Sequence, residues 1–259
     1  MTDTDNSTSI GGLNFAELKA VQEFLLSASI PLLRDTDVGA LPRATGALFE
    51  VKGRRFLVTA HHIFEGMEVE ALAVPLGRHA APMKTLGDLT LAHAEQENGP
   101  DIAVLELLNP EMAGQVAKHW RFLGADNIGA SDSEALHVVL GYPEALAERT
   151  DEAVRAHPFA MFATAVDAPP PEDLKSPPTS WDLFFELDRE GVLLDGTKME
   201  TPPLQGASGA PIFDVGPPPD GIWTPQKALR FVGVQSSALP GKWFRATSAD
   251  VVQSYFNKL

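Results

Sequence analysis

The 259-residue chain contains no cysteine. Disulfides and thiolate metal sites are therefore excluded, and packing and hydrogen bonding must hold the fold. Secreted proteins of this size often carry disulfides, so their absence points to a reducing compartment, and the cytoplasm is the expected location. Long apolar runs are also missing: none approaches the roughly 20 residues that a membrane-spanning helix needs. Met1-Thr2-Asp3-Thr4-Asp5-Asn6-Ser7 puts no basic residue ahead of an apolar stretch, so no signal peptide is expected. Positive charge is scarce as well, with 20 Lys and Arg against 35 Asp and Glu and a formal net charge of −15. A surface of that sign repels phosphates and anionic headgroups, which argues against nucleic acid or a membrane as partner. There is no basic block and no internal repeat.

Turn formers are what the chain has in quantity, with 21 glycines and 21 prolines among many short apolar runs. That pattern favours a strand-rich, all-β chain over a helical bundle, and its length suits a single barrel or sandwich domain. Residues 1–12 are polar. Asn14 and Glu17 have the spacing of a capping box, and Phe15, Leu18, Val21, Phe24 and Leu25 follow at helical spacing, so a helix is expected over about 15–30, ended by Pro31. Thr45 to Val51, a Lys52-Gly53 turn and Arg54 to Ala60 read as a hairpin that delivers His61-His62. Short apolar runs follow at Val69 to Val74 and Leu89 to Leu91. Gly99-Pro100 breaks the chain before Asp101-Ile102-Ala103-Val104-Leu105-Glu106-Leu107, a strand expected to open on the acid. A short helix over 109–121 and strands at 135–143, 158–166, 183–187 and 230–236 come next. Gly191 reads as a turn, and the proline-rich loops 168–178 and 217–221 cannot pair in a sheet. A final helix spans 249–257.

One stretch carries chemistry: Leu204-Gln205-Gly206-Ala207-Ser208-Gly209-Ala210-Pro211-Ile212-Phe213. A serine hydroxyl is a poor nucleophile at neutral pH and needs a general base and donors for a developing oxyanion. Glycines beside it let consecutive N–H groups converge, and Gly206 and Ser208 are the expected donors. His62 is the candidate base, and Asp101 the carboxylate that would fix its tautomer. Asp101 follows His62 by 39 residues and Ser208 follows Asp101 by 107, so only tertiary folding can unite them. His62-Ile63-Phe64-Glu65 also reads His-x-x-Glu, a possible zinc pair. It sits at a strand end rather than on a helix face and lacks the companion ligands of a His-Glu-x-x-His site, so no metal or other cofactor is expected.

Leu57-Val58-Thr59-Ala60-His61-His62 resembles the Thr-Ala-Ala-His segment of chymotrypsin/trypsin-like serine peptidases, with His61 where the second alanine is usual. Asp101-Ile102-Ala103-Val104-Leu105 is similar to that family's Asp-Ile-Ala-Leu-Leu, and Gly206-Ala207-Ser208-Gly209-Ala210-Pro211 to Gly-Asp-Ser-Gly-Gly-Pro. Phe231-Val232-Gly233-Val234 resembles the strand beside which extended substrates pair. The motifs come in the family's order over roughly residues 44–246, and counting from Thr59-Ala60 selects His62 over His61. The resemblance implies two six-stranded antiparallel β-barrels, the first over about 36–125 and the second over about 126–246. To these the chain adds a helical extension (13–35) and a C-terminal helix (247–259). It further implies a serine endopeptidase that cleaves proteins or peptides through an acyl-enzyme on Ser208, with His62 and Asp101 in support. Ala207 replaces the aspartate that pairs with a newly cut N-terminus, as in bacterial-type members, so activation by that ion pair is not available. Pro202 stands where trypsin-type members place a pocket-floor aspartate, and Ser236, Ser237 and Ala238 would line one wall, which suits a small or medium apolar side chain. The alternative is a catalytically silent or conditionally activated module on the same fold, with its oxyanion hole unformed.

Overall fold

The computed structural model describes residues 10–34, 40–66, 68–77, 83–85, 89–91, 99–149, 154–169, 174–192, 198–217 and 221–259. Helix α1, Phe15–Ala28, starts where Asn14 Oδ1 accepts from Glu17 N at 3.1 Å and the Glu17 carboxylate accepts from Asn14 N at 2.8 Å. This reciprocal pair satisfies two N–H groups that the first turn would otherwise leave unmet. Leu18, Val21, Phe24 and Leu25 form its buried stripe. The helix ends at Ala28, and the chain passes straight into strand β1, Ser29–Arg34.

That strand corrects the expected boundary. The helical extension stops at 28, and the first sheet begins at 29 instead of 36. Ile30, Leu32 and Leu33 are buried, so the segment gains more by pairing in the sheet than by continuing a helix. Pro31 faces Thr45 across β1 and the next strand. The Thr45 N–H goes to Ser208 O and its carbonyl accepts from Thr59 Oγ1, so neither group awaits a partner from Pro31.

The first sheet continues with β2 (Leu41–Val51), β3 (Arg54–Thr59), β4 (Leu72–Pro75), β5 (Met83–Thr85), β6 (Leu89–Leu91) and β7 (Ala103–Leu107). Helix α2 (Pro110–Val116) follows, shorter than the expected 109–121 and capped by Asn109, before β8 (Phe122–Leu123). The order is β5-β4-β1-β2-β3-β7-β6, antiparallel, with β8 added parallel to β2. The second sheet starts at β9 (Leu136–Gly141), and β10 (Glu148–Arg149) with β11 (Val154–Arg155) makes a side ribbon. Strands β12 (Phe159–Ala163), β13 (Ala165–Val166) and β14 (Asp182–Glu186) come next. The expected turn at Gly191 is instead strand, because β15 (Glu190–Val192) pairs with β16 (Lys198–Glu200) in a second ribbon. Strand β17 (Pro211–Val215), helix α3 (Pro225–Ala228), strands β18 (Leu229–Leu239) and β19 (Trp243–Ser248) and helix α4 (Ala249–Asn257) complete the chain. The second sheet runs β12-β9-β17-β18-β19-β14-β13, and Glu186 N donates to Thr164 O at 2.9 Å, which draws its two ends together.

The chain is therefore all-β, built from two curled antiparallel half-barrels with few short helices. Short edge strands bring the described sheets to eight and seven strands where six each were expected. Parts of both proline-rich loops (170–173 and 218–220) and residues 1–9 lie outside the described residues.

Each sheet encloses apolar side chains: Leu48, Leu57, Leu72 and Leu105 in the first, Val139, Phe185, Ile212 and Phe244 in the second. A third cluster belongs to both. Phe49 and Phe56 from the first sheet, Phe213 and Phe231 from the second, and Phe24 and Phe256 from the terminal helices share one core. Phe49 meets Phe231 edge-on at 5.0 Å, Phe256 touches both Phe49 and Phe56, and Phe24 meets Phe213 at 5.6 Å. Such edge contacts add about 0.5–1.5 kcal/mol per pair to area burial. The two helices thus act as clamps across the junction of the sheets.

Phe256→Ala should lower the unfolding free energy by about 3–5 kcal/mol, because a fully buried aromatic leaves a cavity that its neighbours fill only in part. Urea titration would read this as a lower midpoint at constant slope. A midpoint unchanged within error would mean that α4 does not clamp the junction.

Candidate active site

Strand β3 ends at Thr59, and Ala60 passes the chain into a single 3-10 turn, His61–Phe64. The turn aims the His62 side chain back across the sheet toward the start of β7. There Gly99 and Pro100 lie outside any strand and Ile102 N donates to Pro100 O, which leaves Asp101 in a bend two residues ahead of β7. The acid therefore precedes the strand and does not open it. That position frees its carboxylate from the pleat, so that it reaches sideways to His62.

Asp101 Oδ2 lies 2.7 Å from His62 Nδ1, and Asp101 Oδ1 accepts from His62 N at 2.9 Å. His62 Nε2 lies 3.0 Å from Ser208 Oγ. The sheets thus bring together the three groups that stand far apart along the chain. An ionised carboxylate can only accept, so Nδ1 carries the proton it shares with Asp101, and in the neutral ring Nε2 is left as acceptor for the Ser208 hydroxyl. Burial would raise the Asp101 pKa, but hydrogen bonds from the His62 ring and from the backbone N–H groups of His62 and His61 outweigh it, and the net direction is downward. The imidazole keeps 39% of its side-chain surface exposed and Asp101 keeps 33%, so the site is open to a substrate. Both ring nitrogens of His62 are engaged. Glu65, the other half of the His-x-x-Glu pair, is exposed, and among the described residues no group of three or more His, Asp or Glu is placed to hold a metal ion.

The turn ahead of the serine is held through its carbonyls. Ala207 N donates to Leu204 O at 2.9 Å, and Gly206 has φ +91°, so residues 204–207 form a type II turn. Gln205 O accepts from Glu144 N at 2.7 Å, and Ala207 O accepts from Ala210 N at 2.9 Å. In a trans peptide the C=O and N–H point opposite ways, so anchoring these two carbonyls turns the N–H groups of Gly206 and Ser208 to the other side. Among the described residues neither N–H has an acceptor. Only glycine fits at 206, since a Cβ there would lie 2.7 Å from Tyr142 O and 2.8 Å from Glu144 N. Gly209, at φ +88°, is equally constrained, because a Cβ there would overlap Thr45 O and Thr59 Oγ1 of the first sheet.

Gly209 N donates to Gln235 O at 2.8 Å and Gln235 N to Ala210 O at 2.9 Å, which ties β18 to the serine loop. Ser236, Ser237 and Ala238 follow directly on β18. Ser236 is buried, with Oγ on Arg245 O at 3.2 Å, Ser237 is exposed, Ala238 is half-buried, and Pro202 is buried. Ala207 packs in the core of the second sheet beside Gly141. A cavity of about 750 Å³ lies elsewhere, between α1, β12 and residues 186–190, and contains none of these side chains. Sequence reading missed Thr45, Thr59, Tyr142 and Glu144, which frame the serine loop. Their role is positional, and although Thr59 stands in the motif ahead of His62, no local motif announces that role.

A second Ser-His-Asp group provides a contrast. His137 Nε2 lies 2.8 Å from Asp214 Oδ1 and 3.1 Å from Ser131 Oγ, with the ring fully buried against Phe185. Both partners meet the same nitrogen and solvent cannot enter, so no proton relay runs through that ring. Of these two groups, it is at His62 that the two nitrogens face different partners.

No family model and no curated protein matches the chain. Many solved structures do, 550 chains in all, so the fold is widely shared. One comes from work described as "Aromatic interactions drive the coupled folding and binding of the intrinsically disordered Sesbania mosaic virus VPg protein". It superposes with a TM-score of 0.52 over 88% of this chain and 89% of its own, at 14% identity. A likeness at that identity concerns the fold alone.

The lowered Asp101 pKa has a consequence for stability. A carboxyl that ionises more readily when folded contributes fully above its ordinary value of 3.8, and the contribution fades as pH falls through the lower folded value. Asp101→Asn should therefore cost stability at pH 7, by about 1 kcal/mol or less because the side chain is part-exposed. Wild type and variant should converge in unfolding titrations run below about pH 3. An equal gap at both pH values would mean that the ionised Asp101–His62 pair does not contribute.

Proposed function

We propose that the protein is a serine endopeptidase that hydrolyses peptide bonds through an acyl-enzyme on Ser208. The observation that carries this reading is the continuous contact from Asp101 through both ring nitrogens of His62 to Ser208 Oγ, at 2.7 and 3.0 Å. In the proposed reaction Ser208 Oγ attacks the substrate carbonyl carbon as its proton passes to His62 Nε2. The N–H groups of Gly206 and Ser208 receive the oxyanion. Collapse of the adduct expels the amine, which takes the proton from Nε2 and leaves an ester on Ser208. Water then gives a proton to Nε2 and adds to the ester carbon, and Ser208 Oγ departs with that proton, releasing the acid. Asp101 keeps Nδ1 protonated and offsets the positive charge on the ring.

The orientation of the Gln205–Gly206 and Ala207–Ser208 peptides favours this reading over a silent module, because it leaves both oxyanion donors free. Resemblance of the motifs around His62, Asp101 and Ser208 to chymotrypsin/trypsin-like peptidases points the same way. The substrate is expected to be a protein or peptide, with small or medium apolar side chains beside Ser236, Ser237 and Ala238. No cofactor is needed for these steps.

A fluorophosphonate probe should label the wild type at Ser208, and Ser208→Ala should abolish labelling. His62→Ala should slow it by at least about 10³-fold, in line with loss of a base that acts as a unit with the serine. Mass spectrometry of the labelled peptide reads the outcome. Failure of the folded wild type to label, or labelling unaffected by Ser208→Ala, would remove the peptidase reading.

A further inference from the structure

We propose that Thr45, a residue of the first sheet, positions the oxyanion donors carried by the second. The inference rests on the reading of Ser208 as nucleophile. Thr45 is fully buried on β2 and every polar group it has is committed. Its N–H donates to Ser208 O at 2.8 Å, and its carbonyl accepts from Thr59 Oγ1 at 2.7 Å. Its hydroxyl lies 3.0 Å from both Gly206 O and Tyr142 N. A threonine hydroxyl has one proton to give, a backbone carbonyl can only accept, and an N–H can only donate. The assignment is therefore unique: Thr45 Oγ1 accepts from Tyr142 and donates to Gly206.

This matters because of which peptides are held. The carbonyls of residues 205, 206, 207 and 208 each accept one hydrogen bond, from Glu144 N, Thr45 Oγ1, Ala210 N and Thr45 N in turn. Thr45 supplies two of the four, and these two come from the first sheet. The Gly206–Ala207 peptide lies between the two donor N–H groups, and it is held by the Thr45 hydroxyl at Gly206 O and by Leu204 O at Ala207 N. Without that hydroxyl Gly206 O would be buried and unpaired, a state that favours rotation of the peptide toward another partner. Glycine at 206 offers little resistance to such a rotation. That rotation changes ψ of Gly206 and φ of Ala207, and so alters how the flanking peptides that carry the Gly206 and Ser208 N–H groups are set relative to each other. Thr59, three residues ahead of His62, is bound to the carbonyl of the same threonine. One residue, through its backbone and its hydroxyl, thereby references both the base and the nucleophile loop to a common point.

The test uses the full-length protein and a fluorophosphonate probe, with the maximal labelling rate separated from probe affinity. Thr45→Val keeps shape but lacks the hydroxyl. It should lower the maximal rate about 10- to 100-fold while the affinity stays constant, since misplacement of reacting groups on this scale has costs of that order. Thr45→Ser keeps the hydroxyl and should restore the rate. Should the valine variant fail to give a cooperative thermal transition, Thr45→Cys, whose thiol is a weak donor of similar size, carries the same expectation. Full labelling rate in a folded Val or Cys variant would overturn the inference and leave the peptidase reading intact. Weaker affinity at an unchanged rate, or no rescue by serine, would also overturn it. A wild type that fails to label would overturn the peptidase reading and this inference together.

Discussion

The two sheets share one apolar seam, and the spacing of the candidate site follows from it. His62 and Asp101 leave the first sheet from β3 and from the bend before β7, whereas Ser208 enters the second just ahead of β17. The packing of Phe49 and Phe56 against Phe231 and Phe256, with the hydrogen bonds from Thr45 to Gly206 O and Ser208 O, fixes how far these ends lie from one another. Interiors packed to crystal-like density resist sliding, and a 3.0 Å contact between residues 146 apart in sequence needs that resistance. The terminal helices serve the same end. Helix α1 inserts Phe24 against Phe213, and α4 inserts Phe256 between two aromatic rings of the first sheet. The helical addition at the N-terminus, which barrels alone would not need, thus has a mechanical role.

On this rigid seam sits a buried polar layer in which the carbonyls of residues 204–208 are all paired. Buried donors and acceptors without partners are costly, so a loop whose carbonyls are all satisfied in one arrangement has little reason to adopt another. Buried side-chain atoms without a hydrogen bond do occur among the described residues, at Ser29, His137, Gln235 and Trp243, but none belongs to residues 204–209. The two free N–H groups of Gly206 and Ser208 stand out against that background. They are left unpaired by geometry that holds everything around them, which is the form preorganisation for a developing negative charge would take.

Much of the architecture was legible. The capping box at Asn14 and Glu17, the Lys52-Gly53 hairpin and the strand through Phe231 to Ser236 rest on local spacing, and the structure has them where the spacing put them. Errors arose where tertiary pairing outweighed a local signal. Pro31 reads as a helix stop and is one, but it also sits inside a strand because Thr45 spends its backbone groups elsewhere. Gly191 reads as a turn and lies in a ribbon with Met199. Asp101 reads as the first residue of a strand and occupies a bend, which is what sets its carboxylate free. The candidate site divides in the same way. His62, Asp101 and Ser208 each sit in a recognisable context, whereas Thr45 and Glu144 act through hydrogen bonds to a loop more than sixty residues away and have no local signature.

The amino-acid order by itself determined where most strands and turns lie and which side chains can bear acid, base or nucleophile, since those depend on local pattern and intrinsic chemistry, whereas the need for glycine at 206 and 209 comes from distant segments they touch. It did not determine which of two Ser-His-Asp groups is open and relay-like and which is sealed. Residue types are identical at His62 and His137, and the difference lies in whether two nitrogens face two partners or one, and in what covers the ring. Those are facts of packing between segments, and the folded chain alone decides them.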